Sequence, residues 1–490
     1  GLTNMITGIA EAFLDSSAML IITVNPKKGS RSFYIHDVPQ LEILKPIAKK
    51  IFPISSIDQI KDLYKAYYCC CSDEPGPVVV EIGGRITDQE IEESELILQE
   101  QPERKTLTTA AVSKIIEYIS DAGHVGIYAG KGCSAAGREL MEMSKILSAP
   151  VATTISGRGV VPEDYELSTG YGFGLTGSPA AYKIFKNCDL ILAIGVKFSE
   201  MATGGWGVKF KKMIHIDTAA DNLDVNYPCM FSVQADAQKA LYEINQSLNR
   251  MQRPPDIKAI EEIKQYKIRH AANINKKKRA DSLHPAVLMR YLRHCLPRDG
   301  IISTDVGYHQ LWSFSDFDVY EPGTYLTPAD YQAMGFGIPA AIGAAMEKPD
   351  KKTVCVCGDG GFLISGFELL TAVREKIDLS VFVFNDGALG LIKGMQESFF
   401  NQKTSLDLNN PDFEKLADSI GVKYFLLSRE MNLENKIEEI LAQKGVSLIE
   451  CKIVYDEFPL YLKGSLRNSW NQMPLSKKIS LLYRYVKYRL

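Results

Sequence analysis

Two glycine-rich turns late in the chain carry the residues best suited to chemistry. The run Gly358-Asp359-Gly360-Gly361 follows one apolar stretch and Asn385-Asp386-Gly387 follows another, with 24 residues between Gly360 and Asn385. That spacing is about what a chain needs to cross over one helix and return in parallel, so both turns should lie at one edge of a sheet. Two carboxylates beside glycine amides and a helix N-terminus suit Mg²⁺ and a diphosphate. A lone Gly-Asp-Gly run is usually only a turn. The second turn at this distance favours a site for Mg²⁺ and a diphosphate over a simple turn.

The elements that must position these turns follow from the alternation of apolar runs and amphipathic stretches, which is typical of α/β folds with parallel sheets. Helices are predicted at 57–68 and 137–147. Strands are predicted at 18–24, 78–82, 124–129, 151–155, 190–195, 213–216, 354–357 and 379–384. The pattern predicts an α/β protein with three doubly wound parallel-sheet domains.

The predicted divisions follow changes in composition along the chain. They are an N-terminal domain at 1–100, a central Rossmann-like domain at 106–250, a charged linker at 251–282, a C-terminal diphosphate- and metal-binding domain at 283–460, and a tail at 461–490.

Composition excludes several classes of function. The chain has 490 residues, 46% of them apolar and 23% charged, and a net charge of −3. A chain of this length is expected to fold into about three domains. A near-balanced charge argues against nucleic-acid binding, and no apolar run is long enough to span a membrane. The ten cysteines form no disulfide framework, which favours a reduced, cytoplasmic protein.

Two further patterns have ordinary explanations that compete with functional ones. Gly130-Lys131-Gly132 follows a predicted strand, but without a third glycine it is as consistent with a simple turn as with a dinucleotide site. The basic run at 276–279 fits an exposed interdomain linker or helix face better than a nucleic-acid contact.

The two turns resemble the thiamin diphosphate motif, in which GDG is followed after 24 to 27 residues by Asn-Asn, with Asp386 in place of the second Asn. The chain as a whole resembles the acetolactate synthase and pyruvate oxidase family of thiamin diphosphate enzymes. The matching segments, in order, are 1–24 (GLTNMITGIAEAFLDSSAMLIITV), 151–170, 214–217 (IHID), 305–312 (DVGYHQLW) and 331–343 (YQAMGFGIPAAIG).

The resemblance implies a set of site residues. Asp359, Asp386 and the Ala388 carbonyl would hold Mg²⁺. Met334 would lie beneath the cofactor and force its bent shape, and the Gln332 carbonyl would accept a hydrogen bond from the aminopyrimidine. The residues around the cofactor would also include His309, Gln310, Gly358, Gly360, Gly361, Gly387 and Leu389.

The resemblance also implies the reaction, which is decarboxylation of a 2-oxo acid, with pyruvate expected, and addition to a second carbonyl, as in branched-chain amino acid biosynthesis. His36 falls in the expected substrate pocket as a candidate acid/base group, although a loop histidine without a role is nearly as consistent. Met395 replaces a Trp that biosynthetic members use to favour 2-oxobutyrate. His36 and Met395 both leave open a second function, a lyase that acts on 2-hydroxyacyl or 2-hydroxyketone substrates. The family motifs for FAD are not matched, so we expect none.

The family places its cofactor between two chains, so a homodimer or homotetramer is expected. Its catalytic glutamate lies upstream of the segment that resembles 1–24, and no residue here can be assigned that role. We expect Gly1 to follow a longer N-terminal segment in the gene, with any transit peptide also upstream. A non-catalytic scaffold would be the alternative if the gene began at Gly1.

Overall fold

Three sheets form the framework of the protein, and every strand pair in the computed structural model is parallel within the named strands. The structure describes residues 1–26, 33–90, 103–173, 177–248, 253–277, 283–400, 404–428, 432–455, 475, 476, 478 and 479. The α/β class with three parallel sheets is therefore confirmed. Most of the predicted tail at 461–490 lies outside the described residues, as does 91–102, part of the predicted first domain and its junction with the central one.

The first unit contains a three-stranded sheet in the order β1-β3-β2. Its strands are β1 (Met19–Asn25), β2 (Lys50–Ile54) and β3 (Pro77–Gly83), and its helices are α1 (Ile6–Leu14), α2 (Gln40–Leu44) and α3 (Asp62–Cys71). The strand β2 was not predicted, because its five residues include Lys50 and Pro53 and so lack a continuous apolar run.

The central unit contains a six-stranded sheet in the order β6-β5-β4-β7-β8-β9. Its elements are α4 (Thr109–Asp121), β4 (Val125–Ala129), α5 (Gly137–Leu147), β5 (Val151–Thr153), β6 (Ser168–Tyr171), α6 (Pro179–Phe185), β7 (Leu190–Ile194), α7 (Glu200–Thr203), β8 (Met213–Asp217), β9 (Phe231–Gln234) and α8 (Ala237–Leu248). The two strands at the sheet edges, β6 and β9, were not predicted, because each is four residues long and partly polar.

The C-terminal unit contains the third sheet, in the order β11-β10-β12-β13-β15-β14. Its elements are α10 (Pro285–Cys295), β10 (Ile301–Thr304), α11 (Tyr308–Asp316), β11 (Tyr325–Leu326), α12 (Gly337–Glu347), β12 (Thr353–Gly358), α13 (Asp359–Ser365), α14 (Leu369–Arg374), β13 (Leu379–Asn385), α15 (Gly390–Phe400), α16 (Phe413–Ser419), β14 (Lys423–Leu427), α17 (Leu433–Leu441) and β15 (Val446–Lys452). Strands β12 and β13 are buried almost throughout, as expected for the middle of a parallel sheet covered by helices on both faces.

The segment expected to be an exposed charged linker or helix face contains a 21-residue helix, α9 (Ile257–Lys277). One stripe of this helix is buried, at Ala259, Ile263, His270 and Ile274. These positions repeat at helical spacing, but the many lysines and glutamates around them hide the stripe in the composition. The helix therefore packs against the protein and connects the central and C-terminal units.

The glycines of the Gly130-Lys131-Gly132 turn are explained by close packing. A Cβ atom on Gly130 would lie 1.9 Å from the Gly195 carbonyl oxygen, and one on Gly132 would lie 2.7 Å from the Gly195 Cα. The Lys131 ammonium donates to the Asp15 carbonyl and the Ser17 hydroxyl of the first unit, at 2.6 and 2.9 Å. The turn therefore connects the central unit to the first unit. These contacts explain its two glycines and its lysine without a dinucleotide site.

No helix in the described part of the chain is long and apolar enough to cross a membrane. All ten cysteines carry free thiols.

A buried ion pair connects the central unit to the C-terminal unit. The Arg158 guanidinium makes two 2.8 Å hydrogen bonds to the Glu163 carboxylate and also donates to the carbonyl oxygens of Ser313 and Phe317. Glu163 in turn accepts a 3.0 Å bond from the Val319 amide. Both charged side chains are almost fully buried.

We predict that Arg158→Ala lowers the free energy of unfolding by about 3–5 kcal/mol, because Glu163 is left as an unpaired buried charge. Arg298→Ala is the matched control, since Arg298 makes the same two-pronged contact with Asp164 in solvent, where such pairs contribute at most about 1 kcal/mol. Thermal denaturation followed by circular dichroism checks this. Equal losses in the two variants would contradict a structural role for the buried pair.

Candidate functional site

The two predicted turns meet at one edge of the C-terminal sheet. Strands β12 and β13 are neighbours in parallel register, with Gly358 opposite Phe384, so Asp359 and Asp386 follow strands that end side by side. The order of strands reverses between β10 and β12, which makes this edge the switch point where α/β sheets usually bind ligands. The sequence prediction that the two turns share an edge is confirmed.

The Asp359 carboxylate, at the start of α13, connects three segments. One oxygen accepts a 2.9 Å bond from the Gly360 amide. The other accepts from the Gly387 amide at 2.9 Å and from the Asn410 side-chain amide at 2.7 Å. The turn after β12, the turn after β13 and the loop before α16 therefore converge on one buried side chain, which is 2% exposed.

Asp386 is a second carboxylate at this edge. Burial first, and then the negative charge of Asp359, raise the pKa of Asp386 to about 7, against a smaller opposing effect of Lys393. A carboxylate whose charge is disfavoured by a neighbouring carboxylate marks a region where a cation would be stabilised. Among the described residues no group of three or more His, Cys, Asp or Glu could hold a metal ion. Two carboxylates nevertheless fit Mg²⁺, which proteins commonly bind through one or two carboxylates plus phosphate oxygens.

The glycines around Asp359 are required by close contacts. A Cβ on Gly361 would lie 3.0 Å from the carboxyl carbon of Asp305, and one on Gly358 would lie 3.2 Å from the His309 ring. A Cβ on Gly360 would lie 2.7 Å from the Leu389 side chain. A Cβ at any of these positions would press on the Asp305, His309 or Leu389 side chain, so glycine lets the turn and the start of the helix pack closely against them.

A cavity of about 90 Å³ lies at this edge, and His309 forms part of its wall. His309 is 2% exposed, and burial lowers its pKa to about 3, so the ring is neutral near pH 7. Its Nε2 atom is buried and meets no hydrogen-bond partner in the described part of the chain. An unpaired buried nitrogen in a cavity wall is the feature expected where a ligand oxygen would complete the bond. The predicted residues that line the cavity are His309, Met334, Gly358, Asp359, Gly360, Gly361, Asp386, Ala388 and Leu389.

The turn that carries Gln332 and Met334 is held by Asp305, at the end of β10. The Asp305 carboxylate accepts 3.0 Å bonds from the amides of Gly335 and Gly337. Gln332 has a φ of +60°, a left-handed conformation that is uncommon for a residue with a side chain. Its side-chain amide donates to the carbonyl oxygens of Pro328 and Ala329, which holds that conformation.

Five predicted residues are not part of the cavity wall: His36, Gln310, Gln332, Gly387 and Met395. The Gln310 side chain turns into the core and donates to the Thr327 hydroxyl and the Pro328 carbonyl, at 2.9 and 3.0 Å, so it supports the neighbouring loop instead of facing a ligand. His36 is exposed on a loop of the first unit with a φ of +64°. Met395 is half-exposed on α15, beyond the part of that helix that reaches the cavity. Gly387 acts through its amide bond to Asp359.

Sequence reasoning missed three residues at or near the site. Asp305 directly follows a strand, so the rule that found Asp359 could have found it. Asn410 lies in a loop whose path is fixed only by tertiary contacts. Glu11 carries an acidic group on the buried face of α1, a conflict with the apolar pattern that was visible in the sequence.

Comparison with known families agrees with this geometry. The profile described as the thiamine pyrophosphate enzyme C-terminal TPP binding domain matches residues 305–451, and that of the thiamine pyrophosphate enzyme central domain matches 112–244. Together the matches cover more than half of the chain. The chain belongs to the thiamine pyrophosphate enzymes. The family resemblance read from the sequence is thereby confirmed.

Relatives within this family share similarity over most of the chain. A probable acetolactate synthase large subunit of Methanocaldococcus jannaschii is 29% identical, over 92% of this chain and 80% of that protein. Acetolactate synthase 1, chloroplastic, of Nicotiana tabacum is 28% identical, over 94% and 72%. The acetolactate synthase isozyme 2 large subunit of Escherichia coli is 27% identical, over 97% and 84%.

The buried Glu11 carboxyl should make the stability of the protein depend on pH. That dependence tests how α1 packs near the site of this thiamine pyrophosphate enzyme. The side chain is 4% exposed, and neither oxygen has a hydrogen-bond partner among the described residues. Burial first, and then the charge of Asp15, raise its pKa from 4.5 to about 8, although the nearby Ala333 amide lowers it. The folded protein therefore binds more protons than the unfolded chain between pH 4.5 and 8, so this group makes stability fall as pH rises through that range.

We predict that Glu11→Gln removes this dependence. We compare the free energy of unfolding of the variant with that of the unsubstituted protein. The difference, variant minus unsubstituted, should increase by up to about 1.4 kcal/mol per pH unit between pH 5 and 8. Urea denaturation at several pH values measures it. Glu42→Gln, at an exposed glutamate of the same unit, should leave the pH profile unchanged. Parallel profiles for Glu11→Gln and the unsubstituted protein would contradict the buried, neutral carboxyl.

Proposed function

We propose that this protein binds thiamin diphosphate with Mg²⁺ and joins two pyruvate molecules into 2-acetolactate with loss of CO₂. The observation that carries the proposal is the convergence of Asp359, Asp386 and the unpaired His309 nitrogen on one cavity at the strand ends of the C-terminal unit. The names of the relatives support the substrate and product. The domain bounds 1–100, 106–250 and 283–460, and a cytoplasmic location, remain predictions.

Mg²⁺ would be held by the carboxylates of Asp359 and Asp386 and by the Ala388 carbonyl, with diphosphate oxygens completing its ligands. The amides at the start of α13 and the His309 Nε2 would face the diphosphate. Because the other ring nitrogen of His309 bonds to the Asp305 backbone, Nε2 would donate to a diphosphate oxygen only when the ring carries its proton on Nε2 or is protonated on both nitrogens.

Thiamin diphosphate, when bound, supplies the carbon nucleophile for the keto group and accepts the electron pair released as CO₂ leaves. The chain's contribution is to orient and to exclude water. Met334 would support the bend between the cofactor's two rings, and the Gln332 carbonyl would accept from the aminopyrimidine. The bonds from Asp305 to the Gly335 and Gly337 amides would hold both residues in place.

We propose that a second copy of the chain completes the site, as a homodimer or homotetramer. The cavity of about 90 Å³ is well below the roughly 300–1,000 Å³ typical of pockets for whole organic ligands. Four large apolar side chains are exposed by about 40–70% on the segment from α13 to α14, which begins at the cavity with Asp359: Leu363, Ile364, Phe367 and Leu370. Such a patch at an incomplete site suits a partner subunit. His36 and Met395 remain predictions for the substrate pocket of that assembly.

We assign no FAD to the central unit. The polar side chains at its strand ends bond to one another and to the first unit: Lys197 to Glu74 at 2.8 Å, and Asn222 to both Glu74 and Asp217 at 3.1 Å. Lys197, Asp217 and Asn222 also line a cavity of about 540 Å³, so the absence of FAD rests on the unmatched family motifs and remains a prediction.

Incubation of the purified full-length protein with pyruvate, Mg²⁺ and thiamin diphosphate tests the reaction. The proposal predicts 2-acetolactate. Acetaldehyde without acetolactate would favour the lyase alternative, and thiamin diphosphate binding without any turnover would favour a scaffold.

Asp359→Ala tests the binding site itself. Loss of a metal ligand that also holds Gly387 and Asn410 should abolish thiamin diphosphate binding in isothermal titration calorimetry with Mg²⁺ present. Asp350→Ala removes an exposed carboxylate at the opposite end of β12 and should bind like the unsubstituted protein. Asp386→Asn retains an oxygen ligand and should still bind. Micromolar affinity in Asp359→Ala would overturn the assignment.

A further inference from the structure

The Asn410 side chain joins the two turns of the candidate site. Its amide nitrogen donates to the Asp359 carboxylate at 2.7 Å and to the Asn385 side-chain oxygen at 2.9 Å. These two acceptors follow different strands, β12 and β13. Asn410 itself lies in the loop that precedes α16, so it reaches the site from a third direction.

The direction of these bonds is fixed by the chemistry of the partners. The Asp359 carboxylate also accepts from two backbone amides, so it serves as an acceptor. The Asn385 oxygen accepts from the Gly387 amide at 3.1 Å, while its nitrogen donates to Glu450 at 2.8 Å. Both atoms that face Asn410 are therefore acceptors, and only its nitrogen can bond to them.

The other end of the Asn410 amide is unusual. Its oxygen is buried and meets no hydrogen-bond partner among the described residues. Burying an unpaired acceptor costs free energy, so packing alone does not account for an amide here. The nitrogen's two bonds to the site turns are the interactions that favour this residue type.

We propose that Asn410 is a positioning residue of the metal site, which fixes the direction of the Asp359 carboxylate and the distance between the two turns. This inference rests on the proposed function for its link to Mg²⁺, whereas the connection between the turns is a property of the protein alone. The two Asp359 oxygens accept three hydrogen bonds, from Gly360, Gly387 and Asn410. The lone pair that accepts no hydrogen bond is left to bind a cation. Partners of this kind commonly change metal affinity by about 10–100-fold when removed.

The test compares Asn410→Ala, which removes both donated bonds, with Asn410→Ser, which keeps one hydroxyl donor. Asn409→Ala is the matched control, since Asn409 is an exposed asparagine one residue away. Two readouts are measured on the full chain. Amide hydrogen exchange of residues 385–390 is followed by mass spectrometry without metal. Mn²⁺ affinity is measured by electron paramagnetic resonance with thiamin diphosphate present.

Asn410→Ala should speed exchange at 385–390 and weaken Mn²⁺ binding by about 10–100-fold, with Asn410→Ser between it and the unsubstituted protein and Asn409→Ala unchanged. Unchanged exchange in Asn410→Ala would overturn the connection, and unchanged Mn²⁺ affinity would overturn the positioning role. If Asn410→Ala speeds exchange but the unsubstituted protein binds no Mn²⁺, the connection stands, while the metal-positioning role and the proposed function fail. Circular dichroism melting of each variant without metal shows that all of them fold.

Discussion

The hydrogen bonds to the Asp359 carboxylate are the interaction on which the site depends. Parallel register brings the ends of β12 and β13 together, but register alone leaves the turns beyond them undefined. One carboxylate that accepts from Gly360, Gly387 and Asn410 gives those turns a single geometry. A buried carboxylate with no cation nearby is costly unless donors surround it, and here three donors do so. The same arrangement leaves it ready for a metal ion.

The other units fix the walls of the same site. Asp15, at the end of α1, accepts hydrogen bonds from the amides of Ala329 and Asp330, just before the turn that carries Gln332 and Met334. The Arg158–Glu163 pair holds the central unit against the end of α11, the helix whose start carries His309. Changes far from the cavity should therefore alter its shape, because the Arg158–Glu163 contacts are buried and the Asp15 contacts are partly buried.

Local sequence rules predicted the fold class and half of the site. Apolar runs that end in glycine and aspartate were enough to find Asp359 and Asp386, because strand, turn and helix start are consecutive in the chain. Asp305 also follows a strand and could have been found by the same rule, whereas the role of Asn410 depends on which loops meet in space, and no local pattern encodes that. The Gln310 side chain, one position from His309 on α11, faces the core, so its place beside the cofactor stays a prediction. Short edge strands such as β6 and β9 lacked enough apolar residues to be detected.

The central claim is that the strand ends of the C-terminal unit hold a divalent cation that binds a diphosphate. The most direct measurement is an anomalous difference map from crystals grown with Mn²⁺ and thiamin diphosphate. The account predicts one peak between the Asp359 and Asp386 carboxylates and the Ala388 carbonyl, in contact with the diphosphate. A peak at another place, or a bound cofactor with no peak there, would contradict it.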